Sequence, residues 1–115
     1  MMKRIFVCFA VAIPLAGASV SAQHPAALAE RGEKVYATQK CAICHSIAGK
    51  GNPKGPLDDV GLRLSADEIR MWIVDAPGMT AKAKAPRKPP MKAYASMPKD
   101  ELEALVVYLQ SLKKK

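Results

Sequence analysis

The chain is 115 residues long, with 18 Lys and Arg against 10 Asp and Glu for a formal net charge of +8, and is 50% hydrophobic but only 5% aromatic. That length leaves room for one small domain beside a targeting segment, and three cysteines, two of them in a single pentapeptide, exclude a disulfide framework. The basic excess carries neither a recognition motif nor interleaved stacking aromatics, which argues against a nucleic-acid partner.

Residues 1–22 read as a cleavable secretory signal. Lys3 and Arg4 supply the positive end, Ile5 to Ala16 the apolar stretch, and Val20-Ser21-Ala22 the small-residue cleavage site. Pro14 interrupts the stretch, which is short for a bilayer span, so an uncleaved anchor is the lesser alternative. No stable membrane insertion is expected after cleavage, and Cys8 leaves with the segment. Residues 23–115 then form the single domain, in the periplasm. Its aromatics are Tyr36, Trp72, Tyr94 and Tyr108, with no Phe. That is little bulk for a core, and a large apolar cofactor is expected to complete it.

The first helix is predicted from about Pro25 to Gln39, with Leu28, Gly32, Val35 and Tyr36 on one side. Gly32 in mid-helix disfavours the helix by about 1 kcal/mol relative to Ala, which suggests close approach by another element. His24, next to the processed N-terminus, is read as solvated. Cys41-Ala42-Ile43-Cys44-His45 follows directly and reads as a C-x-x-C-H haem-attachment site. Two thiols at this spacing can add to the two vinyl groups on one edge of a haem, and the adjoining imidazole can ligate its iron. A thioredoxin-like motif would need a βαβ context, and structural zinc would need four ligands. No further Cys or His follows His45.

A long connection, Ser46 to Leu64, carries Gly49, Gly51, Pro53, Gly55, Pro56 and Gly61; its Gly-Lys-Gly start lacks the spacing of a phosphate loop. The middle helix opens at Ser65 as N-cap, with Asp67 and Glu68 in its first turn and Ile69, Trp72 and Ile73 as its apolar stripe. Pro77-Gly78 is expected to end it. The next connection, Ala76 to Pro98, contains five prolines and is expected to lack regular helix. The last helix is the clearest, with Leu102, Leu105, Val106, Leu109 and Leu112 at helical spacing, acidic residues at its start and Lys113 to Lys115 at its end. No segment alternates with period two, so no sheet is expected.

Four methionines follow the motif: Met71, Met79, Met91 and Met97. Met91 is the choice for a sixth iron ligand, because Pro89-Pro90 stiffen the backbone before it and limit the entropy lost when its thioether is held. Met97, which directly precedes Pro98 and the last helix, is the alternative. Lys82, Lys84, Arg87, Lys88 and Lys92 crowd the same loop, so a positive collar facing redox partners with acidic docking surfaces is expected. A solvated loop without partner preference is the plainer account.

The order of these features resembles the class I c-type cytochromes over nearly all of residues 23–115. The resemblance implies a small all-α fold of about three main helices, with long loops wrapped around one covalently attached haem c and its iron. It places Gly32 where terminal helices cross, with Tyr36, Leu105 and Tyr108 packed around the crossing. Gly55-Pro56-Leu57 is similar to the segment whose proline carbonyl accepts a hydrogen bond from the ligating imidazole, which would give Pro56 that role toward His45. Pro-Pro-Met-Lys-Ala-Tyr looks like the family's Met-bearing loop. Trp72 is read as a core aromatic rather than a donor to a haem propionate, as some relatives use. The implied function is single-electron transfer by a monomeric carrier rather than catalysis. A haem subunit of a larger respiratory or dehydrogenase complex is the alternative, and a peroxidase-like or gas-binding protein the weakest, because no spare histidine lies near the motif.

Overall fold

The computed structural model describes residues 10–13, 17 and 24–115, so the expected secretory signal lies largely outside the described residues. In chain order the elements are α1 (Pro25–Thr38), a 3₁₀ turn (Cys41–Ile43), β1 (Ser46–Ile47), β2 (Lys50–Gly51), α2 (Val60–Arg63), α3 (Ala66–Val74), α4 (Ala76–Ala83) and α5 (Lys99–Gln110). Among the described residues no helix is long and apolar enough to cross a membrane. Helices dominate, as the expected all-α class requires.

The framework is the crossing of α1 and α5. Pro25 starts α1 without loss, because the first turn has no acceptor for its missing N–H. Gly32, Val35 and Tyr36 form its buried stripe, facing Ala104, Leu105, Val106 and Leu109 of α5. The helices approach so closely at Gly32 that a Cβ there would lie 2.0 Å from the Ala104 carbonyl oxygen and 2.5 Å from the Tyr108 Cβ. Beside this contact the Tyr36 and Tyr108 rings meet edge to face, centroids 6.0 Å apart and planes at 68°. Each fully buried Val or Leu at such a crossing contributes about 1.5–3 kcal/mol.

α3 completes the core through Ile69 and Ile73. Its start is a capping box, with the Glu68 N–H donating to the Ser65 hydroxyl at 3.2 Å and the Ser65 N–H to the Glu68 carboxylate at 2.7 Å. Arg70 reaches across to α5 and holds Glu103 with both Nε and Nη2 at 2.8 Å. The chain end is also tied down. Gly61 N–H donates to Leu112 O at 2.8 Å, Lys114 N–H to Asp58 O at 2.9 Å, and the Gln110 amide to Gly61 and Leu64 carbonyls.

Several local expectations change. The Ser46–Leu64 connection holds a minimal antiparallel hairpin, pairing Ser46 with Gly51 and Ile47 with Lys50, where no strand pairing was expected. Two residues per strand are too few to alternate visibly, and the turn depends on positive φ at Ala48 (52°) and Gly49 (77°). The same connection contains the single turn α2. Pro77-Gly78 does not end the helical path: only Asp75 separates α3 from α4, and the expectation that Ala76 to Pro98 lacks helix fails over Ala76–Ala83. Pro77 sits in the first turn of α4, where a proline suits the helix, and the Asp75 side chain caps it by accepting the Gly78 N–H at 3.2 Å. α5 stops at Gln110, so the terminal lysines lie beyond it.

The closeness of the α1–α5 crossing yields a test. Gly32→Ala raises helix propensity, yet its Cβ would collide with backbone that has no room to move. A net destabilisation of about 1–3 kcal/mol is expected, seen as a lower urea midpoint at unchanged slope. A midpoint at or above wild type would contradict the packing described.

Candidate haem-binding site

The C-x-x-C-H segment is presented by the end of α1. After Gln39 the chain turns through Lys40, whose φ of 57° is left-handed, into the 3₁₀ turn. Cys44 and His45 N–H groups both donate to the Cys41 carbonyl, at 3.1 and 2.9 Å. Asn52 staples the motif from outside: its backbone N–H donates to the Ala42 and His45 carbonyls at 3.1 and 3.0 Å, and its side-chain amide to Ile43 O at 3.1 Å. Cys41 and Cys44 are free thiols, each half-buried. Burial, ahead of smaller influences, pushes the Cys41 thiol up to about 11.

His45 is held by a carbonyl, but by Gly55 rather than Pro56. Its Nδ1 lies 3.1 Å from the Gly55 oxygen. The expected Pro56 acceptor is thus displaced by one residue. Ser46 and Pro56 form an isolated parallel bridge, in which the Ser46 N–H donates to Gly55 O at 3.0 Å and the Leu57 N–H to Ser46 O at 2.9 Å. In that pattern the groups of residues 55 and 57 face the motif and those of Pro56 face away. An imidazole donating through Nδ1 keeps Nε2 as the lone-pair nitrogen, the form that ligates a metal. Burial lowers the His45 pKa most; the Gly55 bond opposes this, and the Arg87 charge adds to it.

Three adjoining cavities of about 190, 290 and 300 Å³ lie over the motif. His45 and Met91 line all three; Cys41 lines the first and third, Cys44 the second and third. The first cavity reaches into the core, walled by Leu57, Val60, Ile69, Ile73, Leu105 and Leu109. Residues 81–90 are all exposed, and the chain turns inward again at Met91, Tyr94 and Met97. Tyr94 anchors this return, its N–H donating to Ile73 O at 2.9 Å at the end of α3, with the Lys92 ammonium 4.8 Å from its ring centroid. Met97 also touches the first cavity but packs against the hydrophobic core, as Met91 does not. Met71 is exposed on α3. Trp72, read from the sequence as a core aromatic, stays outside the core cluster and lines the first two cavities instead.

The residues present fit a covalently held haem. An apolar cavity opens onto two unpaired thiols spaced for one macrocycle edge, with an oriented imidazole beside them. The Tyr36 hydroxyl, in the same wall, is buried with no hydrogen-bond partner among the described residues, and burial foremost pushes its pKa up to about 12. Leaving such a group unpaired costs about 1–3 kcal/mol. Among the described residues no three His, Cys, Asp or Glu side chains gather as a protein-only metal site would need. Sequence reasoning missed Asn52, and it named Gly55 and Arg87 without their contacts to the motif. Only Gly55 had a local signal, its place in the Gly-Pro pair; the other two are defined by partners 9 and 43 positions away.

Comparison with known proteins supports a haem cofactor. The family model described as Cytochrome c matches residues 29–113. The chain is 29% identical over 107 residues to a protein named cytochrome c oxidase subunit 2 from Alkalihalophilus pseudofirmus, covering 84% of this chain but 30% of that one. It therefore spans less than a third of the curated relative. No solved structure matches.

Proposed function

The chain belongs to the cytochrome c family, and from that premise we propose that it is a class I, single-haem electron carrier of the periplasm in which His45 and Met91 would hold the iron. Family membership gives it covalently bound haem c and a role in haem-based electron transfer. The bound group supplies one-electron storage, its iron alternating between ferric and ferrous. The chain's residues do the rest. Cys41 and Cys44 would hold the macrocycle edge, Gly55 orients the His45 ring, and the apolar wall would keep water from the site.

The observation that carries the ligand pair is that His45 and Met91 line all three of the cavities described over the two thiols. Met97 is engaged in core packing and Met91 is not. Iron held by two protein side chains would suit a carrier better than an enzyme. A thioether paired with imidazole also raises the reduction potential relative to two nitrogen ligands. Residues 1–22 support export, and the basic residues of the 82–92 loop, all exposed, support an acidic docking surface on the redox partner. The relative named as an oxidase subunit favours one alternative, a haem domain held within a larger respiratory assembly.

Three measurements test this. Met91→Ala is expected to abolish the weak far-red sulfur-to-iron charge-transfer band of the ferric protein, with Met97→Ala retaining it; the reverse pattern would transfer the ligand role to Met97. Charge reversal at Lys82 and Lys88 is expected to slow reduction by an acidic partner severalfold at low salt and to flatten the ionic-strength dependence. Unchanged rates would remove the collar. Native periplasmic protein is expected to elute at the monomer mass on size exclusion, whereas elution within a large assembly would favour the subunit alternative.

A further inference from the structure

We propose that Arg87 is a positioning residue for the His45 side of the site: its guanidinium clamps the two backbone segments that hold the imidazole and raises the reduction potential of the iron. This rests on His45 being the iron ligand, as proposed above.

Arg87 stands apart from its basic neighbours. Among the described residues no hydrogen bond joins Lys82, Lys84 or Lys88 to the haem motif, whereas Arg87 Nη2 donates to the Cys44 carbonyl at 3.4 Å. Its Nη1 lies 2.7 Å from where a Cβ on residue 55 would sit. The guanidinium thus rests at once on the residue before His45 and on the residue whose carbonyl receives the His45 ring. Gly55 is buried, and a side chain there would meet Cys44 O at 2.2 Å and His45 Nδ1 at 3.0 Å as well as Arg87. The three groups are close-packed around a position only glycine fits. Arg87 also lines the second cavity with Cys44, His45, Trp72 and Met91.

Two effects follow from that placement. A planar fork with several donors can span both segments, which the single ammonium of lysine cannot do. Loss of the fork leaves the Gly55 carbonyl, and hence the ring it orients, less firmly placed. The second effect is charge. Reduction adds one electron to the iron, so a fixed positive charge beside the ligating imidazole favours the ferrous state. The guanidinium and the ring are near neighbours, since Arg87 Nη1 and His45 Nδ1 lie 2.7 and 3.0 Å from one and the same Cβ position on residue 55. The side chain is exposed, so solvent moderates the effect without removing it.

The experiment uses the haem-loaded protein and four versions of it: wild type, Arg87→Gln, Arg87→Lys and Lys88→Gln. Spectroelectrochemical titration gives the midpoint potential, and proton NMR of the ferric form gives the paramagnetically shifted His45 ring signals. Arg87→Gln is expected to shift the ferric–ferrous balance about three- to tenfold toward ferric, roughly 30–60 mV lower by the 59 mV per tenfold of a one-electron couple, and to move the ring signals. Arg87→Lys is expected to keep most of the potential while still moving the ring signals, because the charge survives and the fork does not. Lys88→Gln is expected to change neither. An unchanged potential in Arg87→Gln, or an equal fall in Lys88→Gln, overturns the electrostatic role; wild-type ring signals in Arg87→Lys overturn the clamp. A wild-type spectrum lacking shifted His ring signals altogether overturns the ligand assignment itself, a failure seen before any Arg87 variant is compared.

Discussion

The close crossing of α1 and α5 at Gly32 is the constraint on which the site depends. α1 ends three residues before Cys41, and α5 begins eight residues after Met91, so the crossing fixes the origins of both chain segments that reach the cavity. Backbone-to-backbone contact at that point leaves no slack: the Ala104 carbonyl occupies the space any larger residue at 32 would need. Arg31 and Asp100 pair at one end of the crossing, but both are exposed, and the pair adds little beside the buried contacts. The shape of the site is set by packing.

Between those fixed ends the chain satisfies its backbone groups locally and frames the three adjoining cavities over the motif. The hairpin, the Asn52 staple and the Ser46–Pro56 bridge complete the hydrogen bonds of the motif and its following loop. The C-terminal residues do the same for α2. The walls of the first cavity, by contrast, are side chains of the core itself. Val60, Ile69, Ile73 and Leu105 face one another across a space the polypeptide does not close. With so few aromatic residues in the domain, a covalently held haem would add apolar bulk to this core.

Electrostatics around the site divides by depth. Inside, burial dominates: it disfavours charge on His45, Cys41 and Tyr36 alike, which suits a neutral ligand in a site where an added electron must be accommodated. Outside, the loop from α4 to Met91 carries its positive charges fully exposed, where they act at long range and are screened by salt. Arg87 bridges the two regimes, since it is exposed like the lysines yet touches the backbone that holds His45.

The sequence by itself determined the chemistry and the order of the parts. Cys41, Cys44 and His45 are adjacent along the chain, so their joint purpose is visible without a fold, and the helices of Ser65 and Leu102 declare themselves through caps and periodicity. Gly32 was legible as a close approach because a glycine in mid-helix needs a reason. What only the tertiary structure decided are relations between distant residues. The acceptor for His45 became Gly55 instead of Pro56 because a parallel bridge to Ser46 sets which carbonyls face the motif. Pro77 began a helix instead of ending one because Asp75 stood ready to cap it. Trp72 lines the cavity instead of filling the core. Helical spacing shows which residues share a face, but which face meets the cavity is settled only when the other helices are in place.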